Sequence, residues 1–432
     1  MIIAATVIIL IIFLLLGIEI GTAMGLTGMA LLYHMYGNGA LSVAAKVMFD
    51  SLNDMTLLTI PLFVLMGAIM MKGGIGDEIF KFFDSLAGHL PGGAGIATVL
   101  SCSVLAAMCG SSVGITAAIG AMAVDNLRKR GYNLELSLGL PSSAGGLGAL
   151  MPASVGAILY ASITDVSVGQ MLMAGLIPAL VIVVLFSVYT VWAFNHSENK
   201  SLGEKHTWAE RWQAFKRAFW GLTVPVLLLV GIYGGFATVT EIAAVACFWS
   251  LIITMFIYRR LTWKDLLPTF RWGLSVAAMV MYLIATSLLL SNAITQLGVP
   301  EMIRAFFVNN NIPLWGFLII TMVYLVILGT ALEGASMLLL TMPVLTPVLH
   351  AYNYNLIAYG VLFLINVELS LLSPPVGLTV QTVERIAKSL RLPITSTTAW
   401  KGCIPFFILY TVAMILVAVF PQLALWLPST MK

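Results

Sequence analysis

Charge is what this chain has least of. Of its 432 residues only 9% are Asp, Glu, Lys or Arg, against 60% hydrophobic, and the mean hydropathy is +1.02. A water-soluble globule of this length needs far more polar surface, so a soluble fold is excluded and lipid must be the solvent. Cysteine is scarce as well: Cys102, Cys109, Cys247 and Cys403 lie in or beside apolar stretches without CxxC or Cys/His spacing. That argues against a disulfide framework or a metal site and leaves four small packing residues. The five histidines, His34, His89, His196, His206 and His350, fall near span ends or in loops, and no HExxH, GxSxG or Ser-His-Asp-like set is expected at membrane depth. An intramembrane enzyme is therefore not expected. The net charge of +3 comes from basic residues in loop clusters rather than on one face, which excludes nucleic acid as a partner class. Between Val7 and Ile18 no side chain is polar, so the alternation of a transmembrane β-barrel is missing too.

What is present in abundance is long apolar runs. Each crossing takes roughly 20 such residues, and hydropathy places about ten helices at 2–19, 20–37, 57–72, 134–163, 168–194, 219–236, 238–258, 272–297, 355–388 and 398–426. The first run lacks a basic leader and a cleavage site and reads as a retained span. Two further apolar stretches, 93–127 and 312–348, are interrupted near their middles by small and polar residues, which suits re-entrant hairpins. Stretches 76–90 and 298–310, one before each hairpin, mix charge with aromatic or aliphatic residues, as helices along an interface do. Basic clusters at 128–130, 200–217, 259–271 and 385–391 are expected on the cytoplasmic side, which puts both termini outside. Asp125 is expected to pair with the first of these clusters, and Gly17, Gly21 and Gly25 to form a helix-packing seam.

The chain also repeats itself. Tyr132, Asn133 and Leu134 recur as Tyr354, Asn355 and Leu356, an offset of 354 minus 132, or 222, which also carries Leu127 onto Leu349, Pro152 onto Pro374 and the first hairpin onto the second. The hairpins enter from opposite faces, so the repeats are inverted, the sequence signature of a secondary transporter with its site near the midplane. In the first repeat the hairpin tip reads CGSSVGITAA (109–118) and the broken span SSAGGLGALMPASVG (142–156). In the second the counterparts are GTALEGASMLLLTMP (329–343) and NVELSLLSPPVGLTVQT (366–382). Glycine lets backbone leave the helix, exposing carbonyls to a hard cation and helix N-termini to an anion. Glu333 and Glu368 stand at membrane depth, where a carboxylate is costly and marks a possible ion relay or a structural acid.

With IPLFVLMGAIM and its following GGI (60–75), GHLPGG (88–93), the GSS tip, GIYGGFATVTEIAAVA (231–246) and VELSLLSPPVG (367–377), the chain resembles the large membrane (M, DctM-like) subunit of tripartite ATP-independent periplasmic (TRAP) transporters over essentially its whole length. The resemblance implies an all-α polytopic membrane protein of elevator-type, ion-transporter-superfamily architecture that is not an enzyme and has no cofactor beyond sodium as coupling ion. It implies scaffold helices in 1–75, a first repeat with arm helix and hairpin 93–130 in 76–194, a cytoplasmic loop and scaffold helices in 195–297, a second repeat with hairpin 312–350 in 298–397, and a last span in 398–432. Implied partners are a small four-helix membrane subunit (Q-type), a periplasmic substrate-binding protein (P-type) and membrane lipid, in the bacterial inner membrane. The implied activity is sodium-coupled uptake of a small organic anion. Carried over by residue, the cation sites are Gly110, Ser111, Ser112, Gly145 and Gly146, and Gly329, Thr330, Gly334, Pro374, Pro375 and Gly377; the substrate site is Ser142, Ser143, Ser154, Ser336 and Ser373. A proton-coupled or export carrier of the same design, working without a binding protein and using Glu333 or Glu368, is the alternative reading.

Overall fold

The computed structural model describes residues 2–197, 201–203, 205–330 and 332–431, and among them every regular element is helical. In chain order the helices are α1 (Ile2–Leu15), α2 (Ile20–Tyr36), α3 (Ala40–Leu52), α4 (Thr59–Lys72), α5 (Ile75–Ala87), α6 (Gly93–Cys109), α7 (Ser112–Lys129), α8 (Leu134–Gly145), α9 (Val155–Thr164), α10 (Val168–Ala174) and α11 (Leu176–Asn195). They continue with α12 (Trp208–Tyr233), α13 (Val239–Ile252), α14 (Trp263–Gln296), α15 (Val299–Asn309), α16 (Leu314–Gly329), α17 (Gly334–Ala351), α18 (Leu356–Leu371), α19 (Leu378–Ser389), α20 (Ser396–Val419) and α21 (Gln422–Ser429). Among the described residues six helices are long and apolar enough to cross a membrane, or seven if α4 and α5, bent by 66°, count as one span. Of the other expected crossings, 134–163 and 355–388 are each two helices parted by a break that carries glycine and proline, while α1, α2 and α4 are single helices of 14, 17 and 14 residues.

Both expected hairpins are broken where the sequence places small polar residues. The first turns at Gly110, in the left-handed region at φ +59°, and Ser111 caps α7 by accepting from the Gly114 amide at 3.3 Å. The second ends α16 at Gly329 and restarts α17 after Glu333. The two long spans behind them break as well. α8 gives way to a short 3₁₀ turn, Gly146–Ala149, and α9 starts from the Ser154 cap; α18 stops at Leu371, and α19 starts after Gly377 at φ +48°.

The 222-residue offset extends across the whole element order. Adding it to α7 (112–129) gives 334–351, the bounds of α17; α8 maps onto 356–367 within α18, α6 onto 315–331 beside α16, and α5 onto 297–309 beside α15. Past the breaks, α9 maps onto 377–386 and α11 onto 398–417, within three residues of the bounds of α19 and α20. Packing follows the same rule: α7 lies against α19, and α17 against α9, so each hairpin's return helix rests on the far half of the other repeat's broken span. Each repeat thus covers part of the other's broken span.

The longest helix, α14, has 34 residues and is about 51 Å long at 1.5 Å per residue. It packs against α2, α3, α4 and α17. The seam with α2 is made by Gly21, Gly25 and Gly28, since a Cβ on Gly28 would lie 2.9 Å from the Leu290 backbone. Gly17 does not belong to it, contrary to the spacing-based expectation. It sits in the turn after α1 at φ +78° with open space around it, because the chain leaves the helix there. The helix α3, which hydropathy alone missed, buries Ala40 and Ala44 on a face that Val43, Val47 and Met48 share, partly buried, while Ser42, Lys46 and Asp50 stay exposed. Stretches 76–90 and 298–310 form α5 and α15, each with one buried apolar face, and Arg260 ties α5 to the α13–α14 turn through Glu78 and Asp77. Asp125 pairs with Lys129 at 2.6 Å, one turn away. All four cysteines are free and buried, as packing residues should be.

Candidate functional site

The two hairpin tips and the two span breaks converge. Gly110, Ser111, Ser112 and Val113 of the first tip, Glu333, Gly334 and Ala335 of the second, Ala149 and Ser154 to Gly156 of the first break, and Val367, Glu368, Leu371 and Leu378 around the second line one cavity of about 190 Å³. Its remaining wall is α14, through Val276, Met279 and Val280, with Val64 of α4. No Lys, Arg or His lines it among the described residues, whereas two carboxylates do.

At the centre of the first tip stands a buried pair. The Ser112 hydroxyl donates to Glu368 Oε1 at 2.6 Å, across 256 residues of chain. Glu368 is 1% exposed, and an ionised carboxylate offers about four acceptor positions, so one hydroxyl leaves it far from satisfied. Its other oxygen lies over Gly146: a Cβ built there would sit 2.5 Å from Glu368 Oε2 and 2.6 Å from the Tyr410 hydroxyl. The offset of 222 takes Gly146 to position 368, so the glycine and the glutamate are repeat mates in contact with each other. Equivalent positions touch only close to the axis relating two copies. One repeat supplies the carboxylate and the other supplies the space for it.

Around the pair the backbone is crowded with oxygen. Thr116 donates to Ser112 O at 2.9 Å and approaches Pro141 O at 3.4 Å, and Tyr410 donates to Ser143 O at 2.9 Å. Gly145 lies so close to α7 that a Cβ would meet Thr116 Oγ1 at 2.1 Å. Gly110, Ser111, Ser112, Gly145 and Gly146 are thus one neighbourhood. The other cation candidates fall into two. Gly329 packs on Ser370 and Gly334 on Val367, both on α18, while Thr330 donates to its own helix at Ile327 O. Gly377 packs under the Trp400 indole, and Ser373 and Pro374 line a separate cavity with Trp400 and Cys403; Pro375 is exposed.

Of the substrate candidates only Ser154 lines the central cavity, and its hydroxyl is engaged in capping α9. Ser142, Ser143 and Ser336 are fully buried; Ser142 and Ser143 adjoin the Cys403 thiol, and the Ser336 hydroxyl has no hydrogen-bond partner among the described residues. Thr116 and Tyr410, which the structure brings beside the pair, carry no mark in the sequence reading. Thr116 follows Ser112 by one helical turn and could have been found by that spacing. Tyr410 lies 267 residues from its partner Ser143 and gave no local signal. Contrary to the expectation that no GxSxG stands at membrane depth, the tip sequence Gly110 to Gly114 satisfies that hydrolase pattern. It joins two helices rather than a strand and a helix, and its serine meets a glutamate, not a histidine.

Comparison with known proteins places this geometry. The family described as the tripartite ATP-independent periplasmic transporter DctM component matches residues 7–423. The chain is 30% identical to the C4-dicarboxylate TRAP transporter large permease protein DctM of Rhodobacter capsulatus over 97% of both chains, and 31% identical to that of Pseudomonas aeruginosa over 94% of both. The sialic acid TRAP transporter large permease protein SiaM of Vibrio cholerae is 28% identical, over 96% of this chain and 95% of its own. Among solved structures, the YdaH transporter of Alcanivorax borkumensis superposes with a TM-score of 0.62 at 12% identity, covering 91% of this chain and 90% of that one. The Neisseria gonorrhoeae MtrF, from a class of antimetabolite efflux pumps, gives 0.60 at 10%, covering 91% and 85%; both likenesses concern the fold alone. A broken-span, double-hairpin membrane fold with this full-length match makes the chain a multi-pass inner-membrane transport protein, and it belongs to the DctM family of TRAP transporter large permease components.

Proposed function

We propose that the chain carries a small organic anion inward together with sodium ions, the central cavity being the cargo site. Charge balance is the observation that carries this reading. The cavity presents Glu333 and Glu368 and no basic side chain, so an anion entering it would meet net repulsion in a medium of low dielectric unless cations enter with it. A hard monovalent cation seeks oxygen ligands, and the first tip gathers the Glu368 carboxylate, the Ser112 hydroxyl and the backbone at Gly145 and Gly146. In this reading Ser112 and Glu368 hold the first sodium, glycine at 146 keeps the place beside the carboxylate open, and the N-termini of α7 and α17 face the anion. The cargo class rests on the relatives, whose names specify C4-dicarboxylate, sialic acid and isethionate, all organic anions.

The repeats 76–194 and 298–397 are proposed to slide as one transport body along α14 and its neighbours, with the basic cluster at 128–130 cytoplasmic and both termini outside. Delivery by a periplasmic binding protein and bracing by a small membrane subunit follow from membership of a tripartite family. Reconstitution of the chain with both partners in liposomes tests the whole. Uptake of a labelled organic anion that stops when choline replaces sodium, and ignores an imposed pH gradient, is expected. Uptake that follows the pH gradient without sodium would move the coupling to a proton on Glu368, the reading that its burial with a single donor also supports. Robust uptake by the chain alone would remove the tripartite assignment.

A further inference from the structure

Away from the cargo site a cavity of about 550 Å³ opens between the α7–α8 turn and the last two turns of α11, with Arg128, Tyr132, Tyr189, Trp192 and His196 in its walls. We propose that it is a binding site for an anionic phospholipid, whose phosphate is held by Arg128.

Arg128 is one of three consecutive bases, and its neighbours are already neutralised: Lys129 pairs with Asp125 at 2.6 Å, and Arg130 reaches Asp84 at 3.8 Å. Arg128 makes no ion pair among the described residues and donates only to the Tyr132 carbonyl at 3.0 Å. A guanidinium has five donors in a planar fork suited to phosphate oxygens, so most of its capacity is unspent. The opposite wall is an aromatic ladder on one face of α11. Tyr189 stacks on Trp192 at 5.7 Å, and Trp192 meets the His196 ring at 4.6 Å. Tyr and Trp settle at the level of lipid headgroups, where one edge of the ring is apolar and the other wet.

What distinguishes a lipid from a free anion is the stripe that leads away from the ladder. Leu180, Val184, Val188 and Trp192 follow one another at four-residue spacing, each between 51% and 63% exposed. In a membrane-crossing helix that stripe faces acyl chains, and its last member, Trp192, is also part of the cavity wall. Headgroup chemistry at the top and a lipid-facing groove below make one continuous site, with the basic cluster fixing the sign of the charge it prefers. A lipid held there would brace the base of the first hairpin against α11.

Native mass spectrometry of the full-length protein, titrated with phosphatidylglycerol and separately with phosphatidylcholine, tests this. Phosphatidylglycerol is expected to bind the tighter of the two. Arg128→Gln should weaken it about fivefold, the share of one basic side chain at an anionic surface, while Lys129→Gln, which removes the same charge next door, leaves it unchanged. Trp192→Ala, on the other wall and 56% exposed, should also weaken it without touching the α7–α8 turn, so the test survives if Arg128→Gln does not fold. Equal losses in the Arg128 and Lys129 variants, equal binding of the two lipids, or displacement of phosphatidylglycerol by excess inorganic phosphate would each overturn the proposal.

Discussion

The proposed cation site concentrates in three positions that meet: Ser112, Glu368 and Gly146. A buried carboxylate with one hydroxyl donor is the group whose energy changes most when a cation arrives, so single-atom changes here should register on coupling more than on folding. Ser112→Ala removes the donor at 2.6 Å. Losing one oxygen ligand worth about 1.4 kcal/mol should raise the sodium concentration for half-maximal uptake about tenfold, while loss of the hydrogen bond itself lowers the unfolding temperature and leaves the protein folded. Glu368→Gln should cut uptake about a hundredfold, within the range for removing one partner of a buried charge. Normal sodium titrations for both variants in proteoliposomes would show that the pair holds no ion. Sequence flagged Glu368 through its cost at membrane depth and Gly146 through its place in a broken span. That the two meet could not be read from spacing, because they stand 222 residues apart and in different repeats.

At the scale of the element, the hairpin tips depend on backbone that only particular residues adopt. Gly110 is left-handed at φ +59°, and a Cβ there would lie 2.0 Å from the Ala153 carbonyl oxygen. Gly110→Ala should therefore cost about 1 to 3 kcal/mol, seen as a lower unfolding temperature of the purified protein. Gly76→Ala, inside α5 with 3.5 Å to its nearest neighbour, should leave stability unchanged or raised by about 0.5 kcal/mol or more. If both alanines behave alike, the tip is not under the constraint described. Ser111, Asn133, Ser154, Ser167 and Thr207 each fix a helix start by accepting from the amide three residues on, a local signal that hydropathy does not use. At Thr207 the reciprocal partner is Glu210, whose acceptance of Thr207 donors lowers its carboxyl pKa, so this cap persists at neutral pH and is lost only in acid. α3 escaped notice because a short amphipathic helix lacks the continuous apolar run that marks a span.

For the whole molecule the question is relative motion. Met279 of α14 and Ala335 beside the second tip face the same cavity from the stationary and the moving body of the proposed elevator. A Met279→Cys, Ala335→Cys protein should lose uptake when the two thiols are bridged and recover it on reduction, the four native cysteines being buried. Full uptake by the bridged protein would exclude sliding at this interface. The sequence alone decided the solvent, the helical class, the duplicated order of hairpin and broken span, and the kinds of residue that interrupt the helices, because hydropathy, glycine and proline act locally and leave periodic marks. Tertiary structure alone decided that α7 lies on α19 and α17 on α9, that Glu368 of one repeat fills the space left by Gly146 of the other, and that Gly377 turns away toward Trp400. Those contacts join residues far apart in the chain, and they arise only when two copies of one pattern pack reciprocally about a common axis.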